Sequence, residues 1–279
     1  MDDTTKSKVL LEAHGLRKDY QRVTALQHLD LHVRGGEVVG LLGPNGAGKT
    51  TALRMLAAIL TPSAGTAAVC GFDTRTHSLQ AKQNLGFLSG DTALYKRMSP
   101  RETLAYFGRL HDMTEESIVT RSDELIERLD MKDFADRYCE SLSTGQQQKA
   151  NIARTLIHDP PVLILDEPTV SLDIVTGGFI LEAVRQARAE GKAVLFSTHI
   201  MSEAEYLCDR IVVIHQGQVR ATGTHQELVA STRSEGLTQA FLQLIAAPDD
   251  AESAEAPDEP ALLEPSDAPE EQEVPCAGE

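Results

Sequence analysis

A glycine-rich segment near the start of the chain contains a lysine followed by two threonines, in the order GPNGAGKTT at residues 43–51. Its spacing matches G-x-x-x-x-G-K-[ST] in full. Glycines at this spacing let backbone N–H groups wrap closely around a polyphosphate, while the lysine reaches the β- and γ-phosphates and the threonine hydroxyl ligates Mg²⁺. The alternative is a glycine-rich turn that only caps a helix, which the Lys-Thr pair disfavours. The residues expected to bind nucleotide are Gly43, Asn45, Gly46, Gly48, Lys49, Thr50 and Thr51.

Two adjacent carboxylates end an apolar stretch in PVLILDE at residues 161–167. A buried strand with this composition belongs to a parallel sheet, and α/β proteins bind ligands at the carboxyl ends of such strands. We expect Asp166 to hold Mg²⁺ directly or through water, and Glu167 to act as the general base that polarises the attacking water. Taken alone, the pair fits an ordinary strand end equally well, but the phosphate-binding segment favours the catalytic interpretation.

A third motif, LSTGQQQ at residues 142–148, opens a helix predicted over Gln146–Ile157. Ser143 has the side chain of a helix N-cap. Gly145 lacks a side chain where a phosphate or another backbone would approach. Taken alone, this motif is better explained as a capped helix start.

The elements that position these motifs alternate between strands and helices. A strand over Glu37–Leu42 leads into the glycine-rich segment, and a helix in TALRMLAAIL follows and ends before Pro62 and Gly65. Short strands precede the segment, and residues 99–145 are mostly helical, as in an inserted subdomain. Strands at 66–70, 85–88, 161–166 and 192–198, helices at 179–190, 201–209 and 236–245, and a hairpin around Gln216-Gly217 complete the prediction. This alternation predicts an α/β fold with a mostly parallel sheet covered on both faces.

Acidic side chains outnumber basic ones by 42 to 26, which gives a net charge of −16. Residues 246–279 hold 12 of the acidic side chains, no Lys or Arg and six of the 12 prolines, and we expect a disordered tail there. The domain predicted over residues 1–245 is therefore near neutral, which argues against a dominant basic face, and we expect no nucleic-acid partner. The sequence contains no stretch of about 18 apolar residues and no secretory leader at its start, and its four cysteines are widely spaced, so we expect a cytoplasmic protein.

Taken together, the motifs resemble the nucleotide-binding subunit of an ABC (ATP-binding cassette) transporter, over residues 9–245. The resemblance rests on GPNGAGKTT, LSTGQQQ, VLILDEPT, SLD and STH in this order. Within the family the chain is most similar to the ATP-binding subunits of sodium-extrusion exporters, through SGDTALYKRMSPRETLAYFGRL, ARTLIHDPPVLILDEPT and FSTHIMSEAEYLCDRIVVIHQGQV. The resemblance implies the P-loop NTPase fold of ABC ATPases, with antiparallel strands at the N-terminal side and the inserted helical subdomain.

The resemblance also implies roles for single residues. Tyr20 would stack on adenine, although it could instead pack on the sheet. Asp173 would belong to the loop that links the two active sites of a dimer, a role compatible with capping a helix. His199 would contact the γ-phosphate and act in catalysis with Glu167 and Lys49; a histidine at an ordinary strand end is the alternative. In a head-to-tail dimer, ATP would lie between the phosphate loop of one subunit and Ser143, Gly145 and Gln146 of the other.

The sequence departs from the family pattern after the strand at residues 85–88. Most members have a glutamine there, which approaches Mg²⁺ and the attacking water. This chain has Gly90 followed by Asp91, and we hypothesise that Asp91 replaces the glutamine through a water bridge to the metal. Val170, where a small polar residue is common, is a second departure from which we expect little effect.

The resemblance implies an ATP-hydrolysing subunit of an exporter that uses ATP and Mg²⁺ and drives a separate membrane permease. It would lie on the inner face of the plasma membrane, with the permease near residues 90–101 and the helical subdomain. Homodimer and heterodimer both remain open, as does the cargo, for which sodium or a drug are candidates. Two alternatives are a soluble ABC ATPase that acts on nucleic acid or ribosomes and a regulatory nucleotide-binding protein with weak turnover.

Overall fold

The computed structural model describes residues 8–90 and 92–246, which form two sheets and nine helices longer than one turn. The strands are β1 (Val9–Tyr20), β2 (Val23–Leu26), β3 (Leu31–Arg34), β4 (Val38–Leu42), β5 (Ala64–Val69), β6 (Phe72–Asp73), β7 (Leu85–Leu88), β8 (Val162–Asp166), β9 (Ala193–Thr198), β10 (Arg210–His215) and β11 (Gln218–Gly223). The helices are α1 (Lys49–Leu56), α2 (Ser78–Gln83), α3 (Pro100–Leu110), α4 (Glu115–Arg128), α5 (Thr144–Leu156), α6 (Ile174–Ala189), α7 (Met201–Leu207), α8 (His225–Thr232) and α9 (Leu237–Ala246).

The larger sheet has six strands in the order β11-β10-β4-β9-β8-β7. All neighbours are parallel except the hairpin β10–β11. Strands β4, β8 and β9 are buried along their whole length, as their apolar runs VVGLL, VLILD and AVLFST require. The second sheet is antiparallel, with β2, β3 and β5 all paired to β1. The prediction of an α/β ABC ATPase fold with N-terminal antiparallel strands is confirmed.

The parallel register brings three strand ends to one edge of the sheet. Leu42 of β4 pairs with Thr198 of β9, and Asp166 of β8 pairs with Ser197 of β9. Because the strands run in the same direction, the segments that follow them all begin at this edge. The phosphate-binding segment, the carboxylate pair and His199 therefore lie side by side, although up to about 150 residues separate them in the chain.

Several predicted boundaries were wrong. Helix α1 ends at Leu56, four residues before the predicted end at Leu60, because the chain turns at Ala58, whose φ is 55°, and the Arg54 carbonyl accepts from the N–H groups of both Ile59 and Leu60. Helix α5 begins at Thr144, two residues earlier than predicted, because Ser143 caps it. Helices α2 and α8 and the short strands β2 and β6 were not predicted.

Residues 99–145, all of which the structure describes, contain helices and turns and no strand. Helix α3 begins with a capping box between Ser99 and Glu102, and Thr114 caps α4. Arg101 ties the region together through ion pairs with Asp123 at 2.5 Å and Asp136 at 3.0 Å. The division into a domain over 1–245 and a tail over 246–279 stays a prediction, because only Ala246 of the tail lies within the described residues. No helix in the described residues has the length and apolar character needed to cross a membrane.

Candidate active site

The glycine-rich loop joins the buried end of β4 to the start of α1. Gly46 and Gly48 have φ values of 80° and 104°, which side chains other than hydrogen rarely allow. A Cβ atom on Gly48 would lie 2.5 Å from the carbonyl oxygen of Ala25, and one on Gly43 would lie 2.3 Å from that of Ile214. Gly48 is also the N-cap of α1 and offers no capping side chain. The first N–H groups of α1 therefore face the loop, where they can bind an anion.

Lys49 curls back under this loop. Its ammonium donates to the carbonyl oxygens of Gly43 at 2.8 Å and Pro44 at 3.1 Å, and only 5% of its side chain is exposed. The same Nζ atom lies 3.1 Å from Oε1 of Glu167. The structure therefore brings the lysine of the phosphate-binding motif into direct contact with the predicted general base.

Glu167 follows β8 with a φ of 47°, so the chain turns sharply at this residue. Its N–H group donates to the carbonyl oxygen of Ser197 at 3.2 Å and to the Ser197 hydroxyl at 3.1 Å. Its second carboxylate oxygen, Oε2, lies 3.3 Å from Nδ1 of His199. One carboxylate thus contacts both the lysine of the loop and the histidine after β9.

Asp166 is 4% exposed and its Oδ1 accepts a hydrogen bond from the Ser197 hydroxyl at 2.6 Å. Ser197 therefore orients both members of the carboxylate pair, since its backbone and side chain also hold Glu167. The sequence prediction missed Ser197; the signal was a polar pair, Ser-Thr, ending the otherwise apolar run AVLF. The carboxylate of Asp166 and the hydroxyl of Thr50 are oxygen donors of the kind that Mg²⁺ prefers, so these two residues fit the ion.

The residues of the third motif form a second group. Ser143 and Gln146 make a capping box, with the Ser143 hydroxyl accepting from Gln146 N and the Gln146 side chain accepting from Ser143 N. Asp173 caps α6 by accepting from the N–H groups of Val175 and Thr176 and from the Thr176 hydroxyl. Hydrogen bonds, first that of the Thr176 N–H, lower the pKa of the Asp173 carboxyl. The predicted cap at Asp173 is therefore present.

Gly145 joins the two halves of this group. A Cβ atom on Gly145 would lie 3.1 Å from Cγ2 and Oγ1 of Thr176, so α5 and α6 begin in close contact. Ser143, Gly145, Gln146, Asp173 and Thr176 line a cavity of about 450 Å³ together with residues of the 130–134 turn. Among the described residues, no hydrogen bond or ion pair joins the side chains of these five residues to Lys49, Glu167 or His199.

Two further predicted positions, Tyr20 and Gly90, lie within the described residues. Tyr20 ends β1 with 47% of its surface exposed, and the Lys18 ammonium lies 5.2 Å from its ring centre. Gly90 lies beside the carboxylate pair, since a Cβ atom there would be 3.6 Å from the Asp166 carbonyl oxygen. Asp91 lies outside the described residues. Its hypothesised link to the metal therefore stays a prediction.

Known proteins match this chain in sequence and in structure. The ABC transporter family profile matches residues 26–170. The "ABC transporter ATP-binding protein NatA" of Bacillus subtilis (strain 168) is 45% identical over 221 residues, which cover 79% of this chain and 90% of NatA. The "Linearmycin resistance ATP-binding protein LnrL" of the same strain is 33% identical over 244 residues, or 85% of this chain and 78% of LnrL.

Two solved structures give the same result. The ATP-binding subunit of an ABC transporter superposes with a TM-score of 0.78 at 27% identity, covering 84% of this chain and 99% of that one. A dimeric ATP-binding cassette in a post-hydrolysis state, bound to ADP and Pi, superposes with a TM-score of 0.71 at 25% identity, covering 77% and 98%. The motifs, the fold and these matches agree: the chain belongs to the ABC transporter family, as one of its ATP-binding and ATP-hydrolysing subunits.

Proposed function

We propose that this subunit hydrolyses ATP at the site formed by Lys49, Glu167 and His199, and that hydrolysis drives export through a separate membrane permease. The observation that carries the proposal is the position of the Glu167 carboxylate, 3.1 Å from the Lys49 ammonium and 3.3 Å from the His199 ring. A carboxylate between a phosphate-binding lysine and a second polar group is well placed to accept a proton from water at the γ-phosphate.

ATP binds with its phosphates against the glycine-rich loop and the first turn of α1. The N–H groups of the loop and the Lys49 ammonium neutralise the phosphate charge, and the exposed ring of Tyr20 stacks on adenine. The loop residues in contact with nucleotide are Gly43, Asn45, Gly46, Gly48, Lys49, Thr50 and Thr51. Because these groups neutralise the phosphates locally, ATP binding needs no basic protein surface. This agrees with the near-neutral net charge of residues 1–245.

Thr50 and Asp166 would hold Mg²⁺, which when bound neutralises charge on the β- and γ-phosphates. Asp166 suits this role because Ser197 fixes its carboxylate in a buried position. Asp91, the next residue in the sequence after Gly90, would reach the ion through water. An Asp91→Ala protein should then need more Mg²⁺ for half-maximal ATPase activity; an unaltered Mg²⁺ dependence would remove Asp91 from the metal site.

In the reaction, a water molecule attacks the γ-phosphorus in line with the bond to the β–γ bridging oxygen. Glu167 takes the proton of the water as the new P–O bond forms, and the bond to the bridging oxygen breaks to give ADP and inorganic phosphate. His199 orients the water and contacts the γ-phosphate. Its contact with Oε2 of Glu167 supports this joint role.

The second half of the site comes from another subunit; the finding that a similar ATP-binding cassette is dimeric supports this. Ser143, Gly145 and Gln146 at the start of α5 offer N–H groups and the positive end of a helix dipole to the γ-phosphate across the dimer. Asp173 lies in the same cavity and links the two sites. Because one chain carries every motif of both halves, we favour a homodimer over a heterodimer.

The permease would contact the region of residues 90–101 and the helices α3 and α4, which holds the subunit at the inner face of the membrane. A groove of about 530 Å³ opens there between α3, α5 and β7, lined by Phe107, His111, Arg154 and His158. The permease selects the substance that is exported. The candidate exported substances are sodium, which the resemblance of the sequence suggests, and a drug, as the name of the linearmycin resistance subunit LnrL suggests.

The test uses the purified chain, alone and reconstituted with the permease. Wild-type protein should hydrolyse ATP, and Glu167→Gln should bind ATP, hydrolyse it poorly and accumulate as a dimer in size-exclusion chromatography. Full ATPase activity in Glu167→Gln would remove Glu167 as the base. Because Gly90 stands where most family members have a glutamine, a second candidate function is regulatory nucleotide binding with weak turnover. A basal ATPase rate that the permease does not raise would favour this second function.

A further inference from the structure

Glu203, on the first turn of α7, is a buried carboxylate that none of the motifs includes. It is 8% exposed, and it accepts hydrogen bonds from the Thr169 hydroxyl at 2.6 Å and the Thr198 hydroxyl at 2.7 Å. Among the described residues, no ion pair includes Glu203. Burying a carboxylate is costly unless hydrogen bonds compensate for the lost water, so the two hydroxyl donors account for its position.

The two threonines lie on the two segments that carry the proposed catalytic groups. Thr198 is the residue before His199, and its hydroxyl also accepts from the N–H group of Ile200 at 3.0 Å. The Thr198 hydroxyl thus links the two residues that flank His199, Thr198 itself and Ile200. Thr169 lies two residues after Glu167, in a turn closed by the hydrogen bond from Val170 N to the Glu167 carbonyl oxygen at 3.2 Å.

The same turn reaches the helix of the third motif. The side chain of Gln148, on α5, donates to the carbonyl oxygen of Pro168 at 2.6 Å. Pro168 lies between Glu167 and Thr169, so three hydrogen bonds and the backbone between Pro168 and Thr169 together connect Thr198 through Glu203 to α5. Each of these bonds is short and part-buried or buried, which favours a fixed arrangement of the segments it joins.

We propose that Glu203 is a positioning residue, which holds the turn after Glu167 and the strand end before His199 at a fixed separation. The proposal rests on the proposed function of Glu167 and His199. Both side chains leave their strands at the same edge, but the sheet register fixes only β8 and β9 themselves. Ser197 of β9 bonds to the N–H group at the start of the turn, and Glu203 bonds to Thr169 further along it and to Thr198 at the end of β9. A small displacement of either segment would separate His199 from Glu167.

The test compares Glu203→Gln with Glu205→Gln, which makes the same change two residues along α7, where the carboxylate is 38% exposed and faces His225. Glutamine keeps the size of Glu203 but accepts through one oxygen, so one threonine loses its acceptor. We expect kcat for ATP to fall roughly tenfold in Glu203→Gln, with the ADP dissociation constant close to wild type. The melting temperature should fall by only a few degrees, because one buried hydroxyl loses its acceptor. Glu205→Gln should match wild type in all three.

A double-mutant cycle with His199→Ala separates positioning from a structural role. If Glu203 acts through His199, the double variant Glu203→Gln/His199→Ala should be no slower than His199→Ala alone. Thr198→Val, which removes one donor, should reproduce the loss in kcat, and Thr198→Ser should restore most of it. This pair of variants also carries the test if Glu203→Gln folds poorly.

Two results would overturn the inference: a wild-type kcat in Glu203→Gln, or losses from Glu203→Gln and His199→Ala that simply multiply. Either result can be interpreted only if the wild-type protein hydrolyses ATP and the His199→Ala variant hydrolyses it more slowly. If either of these conditions fails, the proposed function itself is wrong, so the two failures are distinguishable.

Discussion

Phosphate oxygens that bind Lys49 must compete with the Glu167 carboxylate, which lies 3.1 Å from the same ammonium. At this distance two unit charges attract by about 5 kcal/mol at an effective dielectric constant of about 20. Much of that attraction offsets the cost of taking the two charges out of water. In Glu167→Gln the amide oxygen still accepts a hydrogen bond from Lys49. The substitution therefore weakens the interaction of Lys49 with residue 167 only by the difference between a charged and a neutral acceptor, about 1.4 kcal/mol.

Glu167→Gln should therefore bind ADP about tenfold more tightly than wild type, because the competing anion is gone. ADP is the right probe, since it lacks the γ-phosphate that would close the dimer. The dissociation constants would be measured by isothermal titration calorimetry at constant Mg²⁺, with Glu205→Gln as the control for a lost surface carboxylate. Equal or weaker ADP binding by Glu167→Gln would show that the contact with Lys49 does not oppose nucleotide binding.

Three further predictions concern other parts of the chain. Gly43→Ala should abolish ATP binding and lower the melting temperature, because the new Cβ atom would meet the Ile214 carbonyl at 2.3 Å; thermal unfolding and ATP titration check this. Burial lowers the pKa of His158 to about 4. The unfolded chain therefore takes up a proton first as the pH falls from about 6.5 to 4, so up to about 3 kcal/mol of stability present above pH 6.5 should be lost over this range. Urea unfolding checks this: the free energy of unfolding should depend less steeply on pH in His158→Phe than in wild type. Ser143→Ala should lose about 1 kcal/mol of stability through the missing cap, whereas Ser143→Gly should lose only a few tenths, and both should lose ATPase activity if the hydroxyl contacts the γ-phosphate.

Elements with clear end signals were predictable from the sequence. Strand Leu85–Leu88 has the predicted bounds, and the hairpin turns at Gln216-Gly217 as expected. The end of α1 was not predictable, because ALRMLAAIL contains no breaker; the chain leaves the helix when the Arg54 carbonyl accepts two N–H groups at once. Helix α8 carries a Thr-x-x-Glu capping box at Thr224, a signal that was present and overlooked.

The residues of the site likewise divide into those that the sequence could predict and those that it could not. Motif spacing predicted Lys49, Asp166 and Glu167, because each lies in a short pattern that local chemistry explains, and the family resemblance implied His199. Contacts between motifs were not predictable from spacing alone. The role of Ser197 depends on the register of β8 against β9. That of Glu203 depends on the packing of α7 against the turn at Thr169 and the end of β9 at Thr198, which lie 29 residues apart in sequence.

The close contact between Gly145 and Thr176 has a mechanical consequence. The start of α5 and the start of α6 are the two surfaces that a subunit would present to its partner, and neither can shift toward the other without a collision. A partner that pushes the start of α6 toward α5 would therefore displace the start of α5 as well, and with it Ser143.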